Sequence, residues 1–428
     1  MKVLIISHTP INTHNNMGKT MLSLFSSFDK DELCQLYIYP MKPDIDKCNS
    51  YFRMTDKDAL KRLFWQKDNA SEIVITDSDL QLHAMFEHCK DAKVYRNKRN
   101  RQPIRMIARD MMWKCSSWYS KNLDAWVARE NPDCIFLAPG YQSFIYDIAM
   151  KIADKRNIPI ISYICDDYYF TSPQKKLTSK LQRYLIRKKI SETMKQSSHI
   201  VCICDSLKEN YEAEFGTSAT TIMTGKSLAE FKGASTNQFV KGLTYMGNVR
   251  CNRYKNLVEI GQALKNINDR HGTEYELEIY SSESDSLILD ELKSVESIRL
   301  RGFVSGKEYE ETLCSSSILI HTEAFDSESV ELVKNSVSTK IADSLSSGVC
   351  VLAYGPKVVA SMQYLIDTGA AYCVTDIGKL EDSIYELLTN WELRNKNSER
   401  ALIVAKQNHD EFSNSERLKK LIYEITEF

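Results

Sequence analysis

The sequence is short of the features that mark many specialised proteins. Its 428 residues carry 56 Lys and Arg against 57 Asp and Glu, a net charge of −1. No field of one sign therefore draws it to nucleic acid in general. Apolar stretches such as "VCVLAY" fall far short of the roughly 20 residues that a membrane-spanning helix needs. The opening "MKVLIISHTP" breaks off at His8-Thr9-Pro10, too early for the apolar core of a secretory leader, and reads as a buried strand and its loop. The 12 cysteines include no Cys-x-x-Cys pair; the nearest spacing is Cys202-x-Cys204, while Cys134, Cys165 and Cys350 sit in apolar contexts. Reduced thiols in a cytoplasmic protein are the expectation, with a zinc site or a disulfide framework as the alternative. Repeats and low-complexity segments are absent as well.

What is present is alternation. "KVLIIS" (2–7), "QLYIYP" (35–40), "CIFLAP" (134–139), "IPIISYIC" (158–165) and "HIVCIC" (199–204) read as strands, with helical stretches such as 143–157 between several of them. A second series follows: "LTYMGN" (243–248), "ELEIYS" (276–281), "SIRLRGF" (297–303), "SILIHT" (317–322) and "VCVLAYG" (349–355). Leu257, Ile260, Gly261, Leu264 and Ile267 fall on one face of a helix over 256–269. The polar stretch 225–241 reads as a connection, and Leu418, Leu421, Ile422 and Ile425 predict a closing helix. Strand–helix alternation implies parallel sheets covered on both faces. The expected fold class is α/β, with two doubly wound, Rossmann-like domains. In such sheets ligands bind at the carboxyl ends of strands, so a cleft between the domains is the expected site.

Nucleotide fingerprints are incomplete. No G-x-G-x-x-G follows the first strand. Gly18-Lys19-Thr20 precedes an apolar helix as in a phosphate-binding P-loop, but the glycine due five residues earlier is Thr13. An ATPase or kinase using this loop is one alternative reading. Asp77-x-Asp79 has the form of a metal-holding pair or of a solvated turn. Two patterns suit a diphosphate better. In "GNVRCNRYKN" (247–256), a strand ends at Gly247 and a loop with Arg250, Arg253 and Lys255 leads into a helix expected near Asn256; guanidinium and ammonium groups give charge-assisted hydrogen bonds to phosphate. In "NSVSTKIADSLSSG", Ser338 or Thr339 is placed to cap a helix, Lys340 adds a charge, and Asp343 lies in the first turn. That aspartate either reaches a diol such as ribose or complements the helix dipole.

Two basic amphipathic segments complete the inventory. Residues 93–114 hold eight Lys or Arg against Asp110, interleaved with Met106, Ile107, Met111 and Trp113; the run 175–195 places Leu177, Leu181, Tyr184 and Leu185 among its cations. Such helices either lie on an anionic membrane surface or present a solvated face over core residues.

Taken together, these motifs resemble the retaining GT-B glycosyltransferases, specifically the family 4 group of bacterial cell-surface sugar transferases. The resemblance covers most of the chain and is strongest in "YMGNVRCNRYKNL" and "STKIADSLSSGVCVLAYGP", the latter as in a capsule and O-antigen cluster subgroup; "MKVLIISHTPINTHNNMGKT" and "ICDSLKENYEAEFG" match the first half. Asp343 falls on the family's second motif glutamate, and counting back to the first reaches Asn335. The resemblance then leaves Glu323, Asp326, Glu328 or Glu331 to supply that acid, with Asp326 and Glu328 favoured. The family's His-Asp after a first-domain strand is here Cys165-Asp166, and its arginine after the second-domain glycine is Asn248.

The resemblance implies a first domain over 1–225 with a returning helix over 410–428, and a second over 242–409. It implies transfer of a sugar, with retention, from a nucleoside diphosphate sugar to a glycan or lipid-linked acceptor. Metal and further cofactor are not expected, nor is nucleic acid. Gly247, Asn248, Arg253, Lys255, Ser338, Thr339, Lys340 and Asp343 would hold the donor; Asp326, Glu328 and Asp166 would serve the chemistry; His8 and Gly18 would lie on the acceptor side. The implied location is cytoplasmic, against the inner face of the membrane. A GT-B-like glycan-binding partner without turnover is a further alternative, suggested by Asn335 and Asn248.

Overall fold

The computed structural model describes residues 1–13, 15–43, 46–64, 72–76, 102–170, 176–227 and 240–427. Short apolar runs bounded by polar turns become strands within it. In the first half these are β1 (Val3–Ser7), β2 (Leu33–Tyr37), β3 (Ser50–Arg53), β4 (Ile73–Ile75), β5 (Cys134–Ala138), β6 (Ile160–Ile164), β7 (His199–Cys202) and β8 (Ala219–Thr221). Among the described residues they form one sheet in the order β4-β3-β2-β1-β5-β6-β7-β8. Pairing is parallel except between β3 and β4. Val3 sits opposite both Leu33 and Cys134, so β1 is central and buried on both faces, as unbroken apolar parallel strands require.

The second half gives β9 (Gly242–Met246), β10 (Glu276–Tyr280), β11 (Ile298–Gly302), β12 (Ile318–Thr322), β13 (Cys350–Tyr354) and β14 (Tyr372–Val374). Their order is β11-β10-β9-β12-β13-β14, and all the pairs are parallel. Counted from β9, that is the order of a doubly wound nucleotide-binding sheet.

The chain divides into two units, one of Met1–Met223 with Phe412–Phe428 and one of Thr224–Glu411. In the first, Phe25 meets Phe28 and Phe136 edge-on, each at 5.0 Å. The helix Glu411–Thr426 adds Leu418 and Ile422 to that core. Ser27 and Ser415 bond at 2.9 Å, and Lys419 pairs with Glu32 at 2.6 Å. In the second, the helix Arg253–His271 packs Leu257, Ile260, Leu264 and Ile267 with Leu243, Leu277, Ile318 and Leu352. Each such burial contributes about 1.5–3 kcal/mol. Where the chain leaves and re-enters the first unit, two short segments run side by side: Lys226 N–H donates to the His409 carbonyl (2.8 Å) and Glu411 N–H to the Lys226 carbonyl (3.0 Å).

Local chemistry explains where expectation and structure part. The helix expected near Asn256 begins at Arg253, because Cys251 and Asn252 take left-handed backbone (φ 52° and 54°) and turn the chain early. β3, β8 and β14 carry few apolar residues and run three or four residues, too little for periodicity to register. Asp77 and Asp79, residues 93–101 of the first basic segment, Lys175 of the second, and 228–239 of the connection lie outside the described residues. Among the described residues, no helix is long and apolar enough to cross a membrane.

Candidate functional site

From β9 the chain moves to β10 on one side; β12 lies on the other. Their carboxyl ends therefore diverge into the crevice where doubly wound sheets bind ligands. The segments leaving these two strands are Gly247–Asn252 and Glu323–Asp326.

Glu323 follows the last residue of β12 and is 3% exposed. Arg253 opens the helix beyond β9 and reaches across to it: Nε donates to Oε2 and Nη2 to Oε1, both at 2.9 Å. The third guanidinium nitrogen, Nη1, donates to Asn248 Oδ1 at 3.1 Å. Burial works against the Arg253 charge, but the Glu323 carboxylate outweighs it and raises the guanidinium pKa. Buried Asn256 donates to Thr322 Oγ1 (2.9 Å) and to the Glu323 carbonyl (2.8 Å). Thr322 in turn donates to the Tyr354 carbonyl at 2.8 Å. A Cβ on Gly355 would stand 2.8 Å from the Glu323 carbonyl oxygen, so only glycine lets β13 continue this close. His321 Nε2 lies 3.9 Å from Glu323 Oε1 and 3.1 Å from Ser361 Oγ. Burial first, and then Arg253, hold its imidazole below the ordinary pKa against the pull of Glu323.

Asp326 caps the short helix Ser327–Val333, accepting from Ser329 N–H, and also accepts from Asn252 Nδ2, both at 3.0 Å. Burial raises its carboxyl pKa, but these bonds and the Lys255 charge leave it below the usual value. Glu328 and Lys255 are exposed. The first N–H groups of the Arg253 helix are already used: Arg253, Tyr254 and Lys255 donate to the carbonyls of Arg250, Val249 and Asn252. This loop therefore offers an anion its cationic side chains rather than open backbone donors.

The helix holding Lys340 and Asp343 spans Lys340–Ser346. Thr339 occupies the cap position, but its side chain makes no cap bond; Ser338 Oγ accepts weakly from Lys340 N–H at 3.4 Å. Asp343 accepts from the Tyr309 hydroxyl at 3.0 Å and pairs with Lys226 at 3.4 Å. Lys340 Nζ stands 5.3 Å from the Tyr309 ring centre. Asn335 is buried.

In the first unit, His8 follows β1, and Arg109 Nη2 lies 3.3 Å from its Nε2. An arginine donates only, so this nitrogen accepts and the ring is neutral. Burial, reinforced by the Arg109 charge and opposed by Asp56, takes the His8 pKa down to about 3. Arg109 and the Trp113 indole N–H both bond Asp56 (2.9 and 2.7 Å), while Trp113 stacks on Phe144 at 4.3 Å. Gly18 lies inside the helix Asn16–Leu24. Its N–H donates to Asn15 Oδ1 at 2.7 Å, and a Cβ would come within 2.5 Å of the Asn12 carbonyl oxygen. The Gly18 N–H is thus not open to a phosphate; the residue serves close packing of the loop. Asp166 accepts from the Tyr168 hydroxyl at 3.1 Å, and Tyr168 lies against Tyr141 with ring centres 4.2 Å apart. Desolvation first, then Asp167, raises the Asp166 pKa.

The structure thus joins Asn248 through Arg253 to a buried Glu323, and ties Asp326 to Asn252 of the same loop. It joins Lys340 and Asp343 to Tyr309 and Lys226, and sets His8 against Arg109. Tyr309 lies in no motif; Asn252, Arg109 and Lys226 fall inside the 247–256 loop, the 93–114 basic segment and the 225–241 connection, but only the fold reveals their partners.

No protein-family model matches this chain, and no curated protein matches it by sequence. Solved structures do. HepE from Anabaena in complex with UDP superposes with a TM-score of 0.64 at 8% identity, over 99% of this chain and 100% of that one. A sucrose-phosphate synthase from Thermosynechococcus elongatus gives 0.61 at 10% identity, over 99% of each chain. An α,α-trehalose-phosphate synthase (UDP-forming) from Burkholderia vietnamiensis gives 0.61 at 10%, over 99% and 97%. The chain has the GT-B fold that these structures share.

Proposed function

We propose that the protein is a GT-B glycosyltransferase that moves a sugar from a nucleoside diphosphate sugar to a glycan or lipid-linked acceptor. The observation that carries the reading is the buried Glu323, gripped by Arg253 beside the cationic loop 247–256, at the switch point of a sheet whose similar solved structures include complexes with UDP. Negative charge builds on the diphosphate as the bond to the sugar breaks. Cations fixed beforehand in that crevice lower the barrier without a metal. Asp343, held by Tyr309 and Lys226, is the acid for the ribose diol, with Ser338, Thr339 and Lys340 beside it. Glu323 takes the place of the absent acid at Asn335 and faces the sugar, while Asp326 and Glu328 shape the loop behind it. His8 and Asp166 lie at strand ends of the first unit, on the acceptor side. Retention, with attack from the face the diphosphate leaves, follows the family 4 resemblance.

The exposed faces of two packed helices favour a membrane-bound acceptor. In Leu177–Gln196, Leu177, Leu181 and Tyr184 recur at helical spacing, 81%, 50% and 64% exposed, flanked by exposed Lys176, Lys180, Arg187 and Lys188. In Pro103–Cys115, packed against it, Ile104 and Met111 are 61% and 51% exposed. Apolar side chains ringed by cations suit the inner face of an anionic bilayer.

The test is a panel of nucleotide sugars offered to the purified protein. Release of nucleoside diphosphate and glycosyl transfer are read with and without lipid-linked acceptor. A protein that neither binds nor turns over any member is not a glycosyltransferase.

A further inference from the structure

The first unit carries a cavity of about 430 Å³ that the proposed donor and acceptor sites do not use. Two elements line it. In the helix Ser143–Arg156, Ile145, Ile148, Ala149 and Ile152 are buried on the face that packs against β1, β5 and β6. Asp147, Met150, Lys151 and Asp154 fall on the opposite face at helical spacing and line the cavity. The turn 116–119 faces them with Ser117, Trp118 and Tyr119. The cavity therefore lies outside the helix layer, not at the strand ends where His8 and Asp166 stand. Its aromatic pair is held in place. Tyr119 donates to Asp124 at 2.9 Å, Lys155 Nζ lies 4.7 Å from the centre of its ring, and Trp118 meets that ring edge-on at 5.7 Å. Lys189 fixes Asp147 at 2.8 Å. The polar groups around the rings are unspent: among the described residues, the Trp118 indole N–H, the Ser117 hydroxyl, the Lys151 ammonium and the Asp154 carboxylate make no hydrogen bond or ion pair.

The lining decides the class of ligand. Asp147 is neutralised by Lys189, and Asp154 is balanced by Lys151, so neither a polyanion nor a cation is drawn in. Among the described residues, Met150 is the one aliphatic side chain in the lining, too little for an acyl chain or an apolar peptide. A neutral sugar fits. A pyranose has a face of C–H groups and a rim of hydroxyls. The electron-rich face of an indole attracts the first, and mixed donors and acceptors satisfy the second. We propose that this cavity binds a neutral glycan segment, with Trp118 as the stacking platform and Asp154, Lys151 and Ser117 bonding its hydroxyls. Position points to the glycan being extended. The helix Pro103–Cys115 runs directly into the turn, and Lys189 belongs to Leu177–Gln196; these are the two helices whose exposed faces suit a bilayer, where a lipid-linked chain is presented. That identification rests on the glycosyltransferase reading; saccharide binding at Trp118 does not.

The experiment uses the full chain labelled with fluorotryptophan. Its five tryptophans are resolved by fluorine NMR, and Trp118→Phe assigns the line of interest. The labelled protein is titrated with maltotetraose, cellotetraose, chitotetraose and mannotetraose, and with tetragalacturonate as the anionic control. At least one neutral saccharide is expected to shift the Trp118 line saturably while the other lines stay in place, including that of exposed Trp391 in the second unit. Asp154→Ala and Lys151→Ala, both at exposed positions, are each expected to weaken that binding about tenfold, the usual worth of a hydrogen bond to a charged group. No shift at Trp118 with any neutral saccharide at millimolar concentration overturns the proposal. So does an equal shift at Trp391, or tighter binding of tetragalacturonate. The nucleotide-sugar panel is read separately: a chain that binds saccharide at Trp118 but turns over no donor keeps this site and loses the glycosyltransferase reading.

Discussion

Lys226 and Asp343, far apart in sequence, form an ion pair at 3.4 Å, and Tyr309 donates to the other oxygen of the same carboxylate at 3.0 Å. Each oxygen keeps a lone pair, so the carboxylate is oriented and still able to accept from a ligand. Asp343→Asn is expected to weaken nucleoside diphosphate binding by about tenfold, or about 1.4 kcal/mol. The thermal midpoint should move little, because a partly exposed pair adds at most about 1 kcal/mol of stability. Calorimetry and a melting curve on one sample check both. Unchanged affinity would remove Asp343 from the donor site.

Gly18 and Lys19 separate packing from phosphate binding. A Cβ at position 18 meets backbone atoms of Asn12 at under 3 Å. Gly18→Ala should therefore destabilise the first unit by about 1–3 kcal/mol, the usual range for overpacking. Lys19 is exposed, and Lys19→Ala should leave nucleotide affinity within twofold of wild type. A loss of nucleotide binding in Lys19→Ala would restore the P-loop alternative.

His8 and His409 set an acid limit. Burial takes the first down to about 3, helped by Arg109. Burial also takes the second to about 4, against the Thr224 carbonyl and Asp343. Unfolded histidine titrates near 6.5, so below that pH the unfolded chain binds protons that the folded chain refuses. Stability from these sites is whole above about 6.5 and declines as the pH falls toward 4. Asp110 works the other way: desolvation raises its carboxyl to about 6, so it penalises the fold as pH rises through the interval from 3.8. Urea unfolding at pH 7.5 and 5 should show the decline, and His8→Asn should flatten it. An unchanged slope in that variant means His8 is not the titrating group.

The exposed stripe on Leu177–Gln196 predicts lipid dependence. Vesicles of neutral phosphatidylcholine should bind weakly, and vesicles with about a third phosphatidylglycerol should bind well. Lys180→Ala should lower partitioning about fivefold, near 1 kcal/mol per surface cation, and Leu181→Ser more. Flotation assays read this directly. Equal binding to both vesicle types would return these residues to a plain solvated face.

Much of the architecture is legible in the sequence, for a physical reason. Central parallel strands are covered on both faces, so "VLIIS", "CIFLA" and "CVLAY" stand out as unbroken apolar runs. Edge strands such as Ala219–Thr221 bury too little to leave a pattern. The site divides the same way. The cationic loop after β9 and the acid at 343 show because they are local patterns. What holds them does not show: Glu323 meets Arg253 seventy positions away in sequence, and Tyr309 and Lys226 reach Asp343 from other elements. The resemblance leaves Glu323 as one of four acids without favouring it; the signal that separates it from the other three is its place directly after the apolar run "SILIHT", where a strand ends at a carboxyl-edge crevice. The helix start moved from Asn256 to Arg253 because two left-handed residues, Cys251 and Asn252, are invisible to hydrophobic periodicity.

The helix Glu411–Thr426 follows the second unit in the chain, yet its Leu418 and Ile422 complete the core of the first. On the ribosome this inverts the order of completion. The second unit is continuous and closes once its own residues have emerged. The first unit, although begun earlier, waits with an apolar gap beside Phe25 and Phe28 until that helix arrives. Nascent chains stalled with residues up to 411, but not the closing helix, emerged should accordingly expose this gap to chaperones, while the second sheet, made later, is already closed.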